Sequence, residues 1–175
     1  MNRRTALRTV VVISAGATLL PSCRNSEHAG LPLRHLSLSG SQQDMVADLS
    51  GTILPKTGDF AGAVDLKCHE FVLTMIDDCN GPEVQKQFTD GLNAFEAGCK
   101  KEFSKSFLQC TAEQKNEWLK KMESGSPQSD PAVNFYIAVK SYTIEGFTSS
   151  KEYLLDFRKW KMVPGGNFKG CVPVS

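Results

Sequence analysis

Six cysteines and three histidines are the residues of this 175-residue chain best suited to chemistry. Cys68 and Cys79 are separated by eleven residues, and so are Cys99 and Cys110; Cys171 lies near the C-terminus and Cys23 near the N-terminus. Thiols can bind metal, form disulfides or carry lipid. The sequence offers metal little. It has no CxxC, and His28, His35 and His69 are scattered. Haem attachment would need CxxCH, and Cys68-His69 lacks the first cysteine. Gly165-Gly166 with Gly170 lacks the strand, helix and downstream acid of a dinucleotide cradle. There is no nucleophile elbow either. No metal, catalytic or cofactor-binding residue is therefore assigned.

Disulfides depend on what lies between the cysteines. Eleven residues of straight helix rise about 16 Å, whereas a disulfide needs Cα atoms within about 7 Å. Cys68, Cys79, Cys99, Cys110 and Cys171 are thus candidates only where the chain turns or a partner lies on another helix. Five is an odd number, so one thiol is left over or bonds another subunit.

Cys23 belongs to a different setting. Arg3-Arg4 and Arg8 form a basic head, Thr9 to Leu20 an apolar run, and Leu20-Pro21-Ser22-Cys23 a small-residue exit. That is the layout of an export signal over residues 1–23, with paired arginines of the twin-arginine kind. The run is shorter than the roughly 20 apolar residues a spanning helix needs. Cys23 after Leu-Pro-Ser resembles a lipobox, and its acylation would tether the protein to a membrane. The other outcome is a cleaved soluble protein, with the cut near Ser22 or Ala29. Residues 24–35 are expected to be a tether, which leaves 36–175 as the domain.

Without the signal about 150 residues remain, enough for one domain with a real core. Three of the 20 basic residues leave with it, so 17 face 19 acids. That balance gives no reason to expect a nucleic-acid partner.

The elements that must position these residues read as all-α. The expected architecture is a single compact domain of five to six helices with an irregular C-terminal tail. Ser39 or Ser41 opens the first helix at capping-box spacing, and Pro55 stops it. Asp65 is expected to cap a second helix that ends near Cys79. There Asp77 and Asp78 oppose the helix dipole and read as a solvated end. Val84, Phe88, Leu92, Phe95, Cys99, Phe103 and Phe107 form one apolar stripe, predicting a third helix about six turns long. Gly91 and Gly98 would let a neighbouring helix approach it. Thr111 with Gln114 caps a fourth helix with Trp118, Leu119 and Met122 inside. Pro131 suits the first turn of a fifth, ending about Gly146. Ser149 with Glu152 opens a short sixth through Tyr153, Leu154 and Phe157.

From Trp160 the chain turns irregular and aromatic. Trp160, Met162 and Phe168, with Arg158 beside them, are the candidate partner interface, because an exposed apolar tail is costly unless covered. The competing role for Trp160 is to close the domain's own core.

The chain resembles the gluconate 2-dehydrogenase subunit 3 family. The likeness is carried by Ile53-Leu54-Pro55 followed by Gly62-Ala63, by the stretch from Val84 to Phe107, and by Thr111, Gln114 and Trp118-Leu119. Further matches are Phe135-Tyr136, Val139-Lys140, Thr143 to Gly146, and Pro164-Gly165 to Gly170-Cys171. The resemblance implies a non-catalytic small subunit that partners, stabilises and helps export a large FAD-dependent dehydrogenase of the glucose–methanol–choline type. The FAD would sit in that partner. A cytochrome c subunit carrying haem, or the respiratory chain, would take the electrons. The expected location is the periplasm, membrane-associated by lipid or through the complex. The alternative is a stand-alone exported helical lipoprotein with a structural or binding role.

Overall fold

The computed structural model describes residues 30–126 and 130–160. They form an all-α domain of five helices: α1 (Gly40–Ile53), α2 (Cys68–Cys79), α3 (Pro82–Phe103), α4 (Ala112–Glu123) and α5 (Pro131–Thr148). A 3₁₀ turn, Phe107–Gln109, joins α3 to α4, and a π-helical turn, Tyr153–Phe157, follows α5. None of the described helices is long and apolar enough to cross a membrane. Arg3, Arg4, Cys23, Met162, Phe168 and Cys171 lie outside the described residues.

The helix starts follow local chemistry. Ser39 and Gln42 form a reciprocal capping box on α1, and Thr111 and Gln114 form one on α4. Asp130 accepts from the Ala132 N–H, and Pro131 occupies the first turn of α5, where a missing N–H costs nothing.

Helix α5 is the hub. It packs most extensively on α3, then on α2, and also touches α1 and α4. The close crossing with α3 occurs at Gly91, where a Cβ would lie 2.6 Å from the Pro131 carbonyl oxygen and 2.8 Å from the Phe135 Cβ. Gly98 lies under the Trp118 ring. Both glycines thus admit a neighbour, as their spacing suggested. Phe95 meets Phe107, Trp118 and Phe135 at centroid distances of 5.2, 5.8 and 5.4 Å. Phe95, Phe107 and Phe135 are fully buried. A hydrogen bond of 3.0 Å between the hydroxyls of Ser50 and Thr143 ties α1 to α5 inside this core.

Four expectations are corrected. The second helix is not capped by Asp65, whose carboxylate accepts from the Gly62 N–H; the helix begins after Lys67, which is left-handed at φ 53°. The long Phe stripe is not one helix. Ser104 turns left-handed at φ 56°, and Phe107 reaches the core from the 3₁₀ turn, while Val84 at the other end is exposed. Ser149 closes α5 at Thr148, and it is the Ser150 hydroxyl that accepts from the Tyr153 N–H.

The fourth correction concerns Asp77, which is buried rather than solvated. Its carboxylate accepts from the backbone N–H groups of Arg34, His35 and Leu36 at 2.7, 2.8 and 2.6 Å. Burial pushes the carboxyl pKa up, but the three donors outweigh it and hold it below the ordinary value. The stretch just before α1 is thereby clamped to the end of α2. Leu31 and Leu33, within the segment expected to be a tether, pack against the core.

Candidate functional site

The loop after α1 is built by its own backbone. The Ala63 N–H donates to the Leu54 carbonyl at 2.9 Å, and the Cys68 N–H to that of Ala63 at 2.9 Å. Gly62 lies so close to the Lys56 backbone that a Cβ would come within 2.5 Å of its nitrogen. Within this frame Thr57 and Phe60 pair backbone to backbone across a tight turn, with Gly58 left-handed at φ 57°. The turn pushes Phe60 outward, where it is 58 % exposed.

The π-helical turn meets it from the other side. The Arg158 N–H reaches back five residues to the Tyr153 carbonyl at 2.9 Å. Such a turn shifts the ring positions away from the α-helical face, and π-type turns are frequent at functional sites. Phe157, 60 % exposed, stands edge-on to Phe60 at 6.0 Å and stacks on Tyr153 at 5.4 Å; Tyr153 in turn meets Phe147 at 5.6 Å. These four rings, with Ala61 and Leu66, line a cleft of about 310 Å³ whose polar rim is Asp59, Glu152 and Asp156. Val64 and Leu155 are further exposed apolar residues on the same two segments.

Two of the predicted interface residues are described, and both are at this end. Arg158 is exposed on the last turn, and Trp160 is half exposed and outside the buried core, its N–H donating to the Leu154 carbonyl at 2.8 Å. Between them Lys159 is left-handed at φ 50°. The last described residues, Arg158 to Trp160, thus follow directly on the turn that carries Tyr153 and Phe157. The sequence singles out neither Phe60 nor Phe147 and places Tyr153 and Phe157 only in a short sixth helix. The available signal was the density of aromatics from Phe147 to Trp160, after the last long apolar helix pattern.

The thiols divide. Cys68, Cys79, Cys99 and Cys110 are all free, with only Cys79 exposed. Cys99 and Cys110 touch, Sγ to Sγ at 3.6 Å. Burial, and then the Cys110 sulfur, pushes the Cys99 thiol up to about 12. Burial also raises Cys68 and lowers the pKa of its neighbour His69. Among the described residues no three His, Cys, Asp or Glu side chains gather to hold a metal ion.

The described residues form an all-helical domain whose aromatic cleft leaves Phe60 and Phe157 more than half exposed. The chain belongs to the gluconate 2-dehydrogenase subunit 3 family, whose pattern matches residues 40–165. That span runs from the first residue of α1 past the π-helical turn and so includes the whole cleft. The family is named for a subunit of a dehydrogenase complex, which implies a dehydrogenase partner. No curated protein and no solved structure matches the chain.

Proposed function

We propose that this chain is the non-catalytic small subunit of an FAD-dependent dehydrogenase complex. It partners, stabilises and helps export a large subunit of the glucose–methanol–choline type that oxidises a sugar or sugar acid. The family match over residues 40–165 carries this reading. The cleft supports it. Two Phe side chains left more than half exposed, side by side, cost solvation unless another surface covers them. An acidic rim of Asp59, Glu152 and Asp156, with the exposed Arg158 and Lys159 next in the chain, gives that surface charges that can fix orientation.

In this reading FAD sits in the large subunit, and a cytochrome c haem or the respiratory chain receives the electrons. Arg3 and Arg4 direct the folded pair to the periplasm. Cys23, once acylated, holds the complex at the membrane; more than one acyl chain is needed for firm anchoring.

Export is tested by replacing Arg3 and Arg4 together with Lys in cells that also produce the large subunit. Both chains should then stay in the cytoplasmic fraction. Large subunit that still reaches the periplasm at full yield would overturn the escort role. Mass spectrometry of the mature N-terminus should find a lipid-modified Cys23, and an unmodified terminus beyond it would remove the anchor.

A further inference from the structure

The two cysteine pairs share one spacing and differ in structure. Cys68 and Cys79 are the first and last residues of the unbroken helix α2, so the rise of the helix holds them about 16 Å apart. Between Cys99 and Cys110 the helix is broken. Ser104 is left-handed, the Phe107 N–H turns back to the Glu96 carboxylate at 3.1 Å, and the Cys110 N–H closes the 3₁₀ turn on the Phe107 carbonyl at 3.2 Å. The return brings the sulfurs into contact at 3.6 Å. Their backbones are fixed by Phe95 and Phe107, which pack edge-on and are fully buried. The fold therefore holds the two sulfurs side by side before any bond forms.

We propose that Cys99 and Cys110 form an intramolecular disulfide that locks the α3–3₁₀ turn, and that Cys68 and Cys79 remain thiols. The step is thiol–disulfide exchange with a disulfide donor, either a protein of the disulfide-oxidoreductase class or oxidised glutathione. Cys110, at 7 % exposure the more accessible of the two, loses its proton and attacks the donor's S–S bond. That gives a mixed disulfide and releases one donor thiol. Cys99 then loses its proton and displaces the second donor sulfur from Cys110. Two protons and two electrons leave the pair, and the donor disulfide becomes two thiols. Burial of Cys99 makes the second displacement slow in the closed fold and makes the finished bond hard for external thiols to reach.

The test uses the reduced full-length chain and oxidised glutathione, so its result does not depend on export or on any partner. After acid quenching, unfolding and alkylation, peptide mapping should find Cys99 joined to Cys110 and Cys68 and Cys79 alkylated. The oxidised chain should melt about 10 °C higher than the reduced one, from the constraint a short loop places on the unfolded chain. The melting temperature of the C99A/C110A variant should not respond to oxidant. The wild-type peptide map decides the matter even if that variant folds poorly. Alkylation of both Cys99 and Cys110 at every glutathione ratio, or a bond from either to Cys68, Cys79 or Cys171, would overturn the proposal.

Discussion

In the middle of the bundle Phe95, Phe107 and Phe135 are inaccessible to solvent, whereas at the cleft Phe60 and Phe157 keep more than half of their surface exposed. The interior rings come from helices and a turn that converge on α5, and each has several neighbours to cover it. The cleft rings are carried by a tight turn and a π-helical turn, and no other described element packs over them. The comparison separates two uses of one residue type. The first set holds the domain together; the second is available to another surface.

Truncation should separate the two ends most sharply. F95A should lose about 3–5 kcal/mol in urea unfolding, the usual range for a buried Phe. F60A or F157A should change stability by less than about 1 kcal/mol, since neither fills the core. Similar losses at Phe95 and Phe60 would break the comparison.

Next is the Asp77 clamp, a polar device at the packed end. D77A should cost about 3 kcal/mol, because three backbone donors, one buried and two partly buried, lose a charged acceptor. The sign with pH follows from the lowered folded-state pKa. Full stabilisation is present above the unfolded Asp value near 4 and is lost as pH falls through the folded value below it. Denaturation curves of wild type and D77N should therefore converge as pH drops below about 4. A gap that widens there would contradict the assigned role.

Glycines give the smaller effects. G91A should destabilise by about 2 kcal/mol, since its Cβ meets α5 backbone that cannot swing aside. G58A should cost about 1 kcal/mol, the strain of a left-handed residue bearing a Cβ in otherwise open space. G58A also sharpens the comparison. It disturbs the turn that presents Phe60, so it should weaken partner association more than it weakens the fold.

What could be read from the sequence was what is local. Ser39 with Gln42, Thr111 with Gln114, and Pro131 carry their helix starts in neighbouring residues, and the structure has those starts. The break at Ser104 was hidden because Phe103 and Phe107 keep helical spacing across it. Lys67 was equally unannounced, since nothing in a lysine signals φ 53°. Asp77 depends on donors more than forty residues away, and no periodicity reports such a partner. Trp160 and Arg158, singled out from the apolar tail, are exposed just after the turn that carries the cleft's Tyr153 and Phe157. Phe60 was not, because its partner ring is Phe157, at the far end of the described chain. The cysteine spacing leaves the pairing open, and it does not announce the turn that brings the Cys99 and Cys110 sulfurs to 3.6 Å.

The account rests on the cleft being the face that docks the dehydrogenase. Its most direct test is the affinity of F60A/F157A for the large flavoprotein subunit, measured beside the urea unfolding of the same variant. The account predicts a fold within about 1 kcal/mol of wild type and a Kd raised at least about 30-fold, the loss of one hot-spot contact of 2 kcal/mol or more. A double variant that folds as well and binds the flavoprotein with unchanged Kd would contradict it.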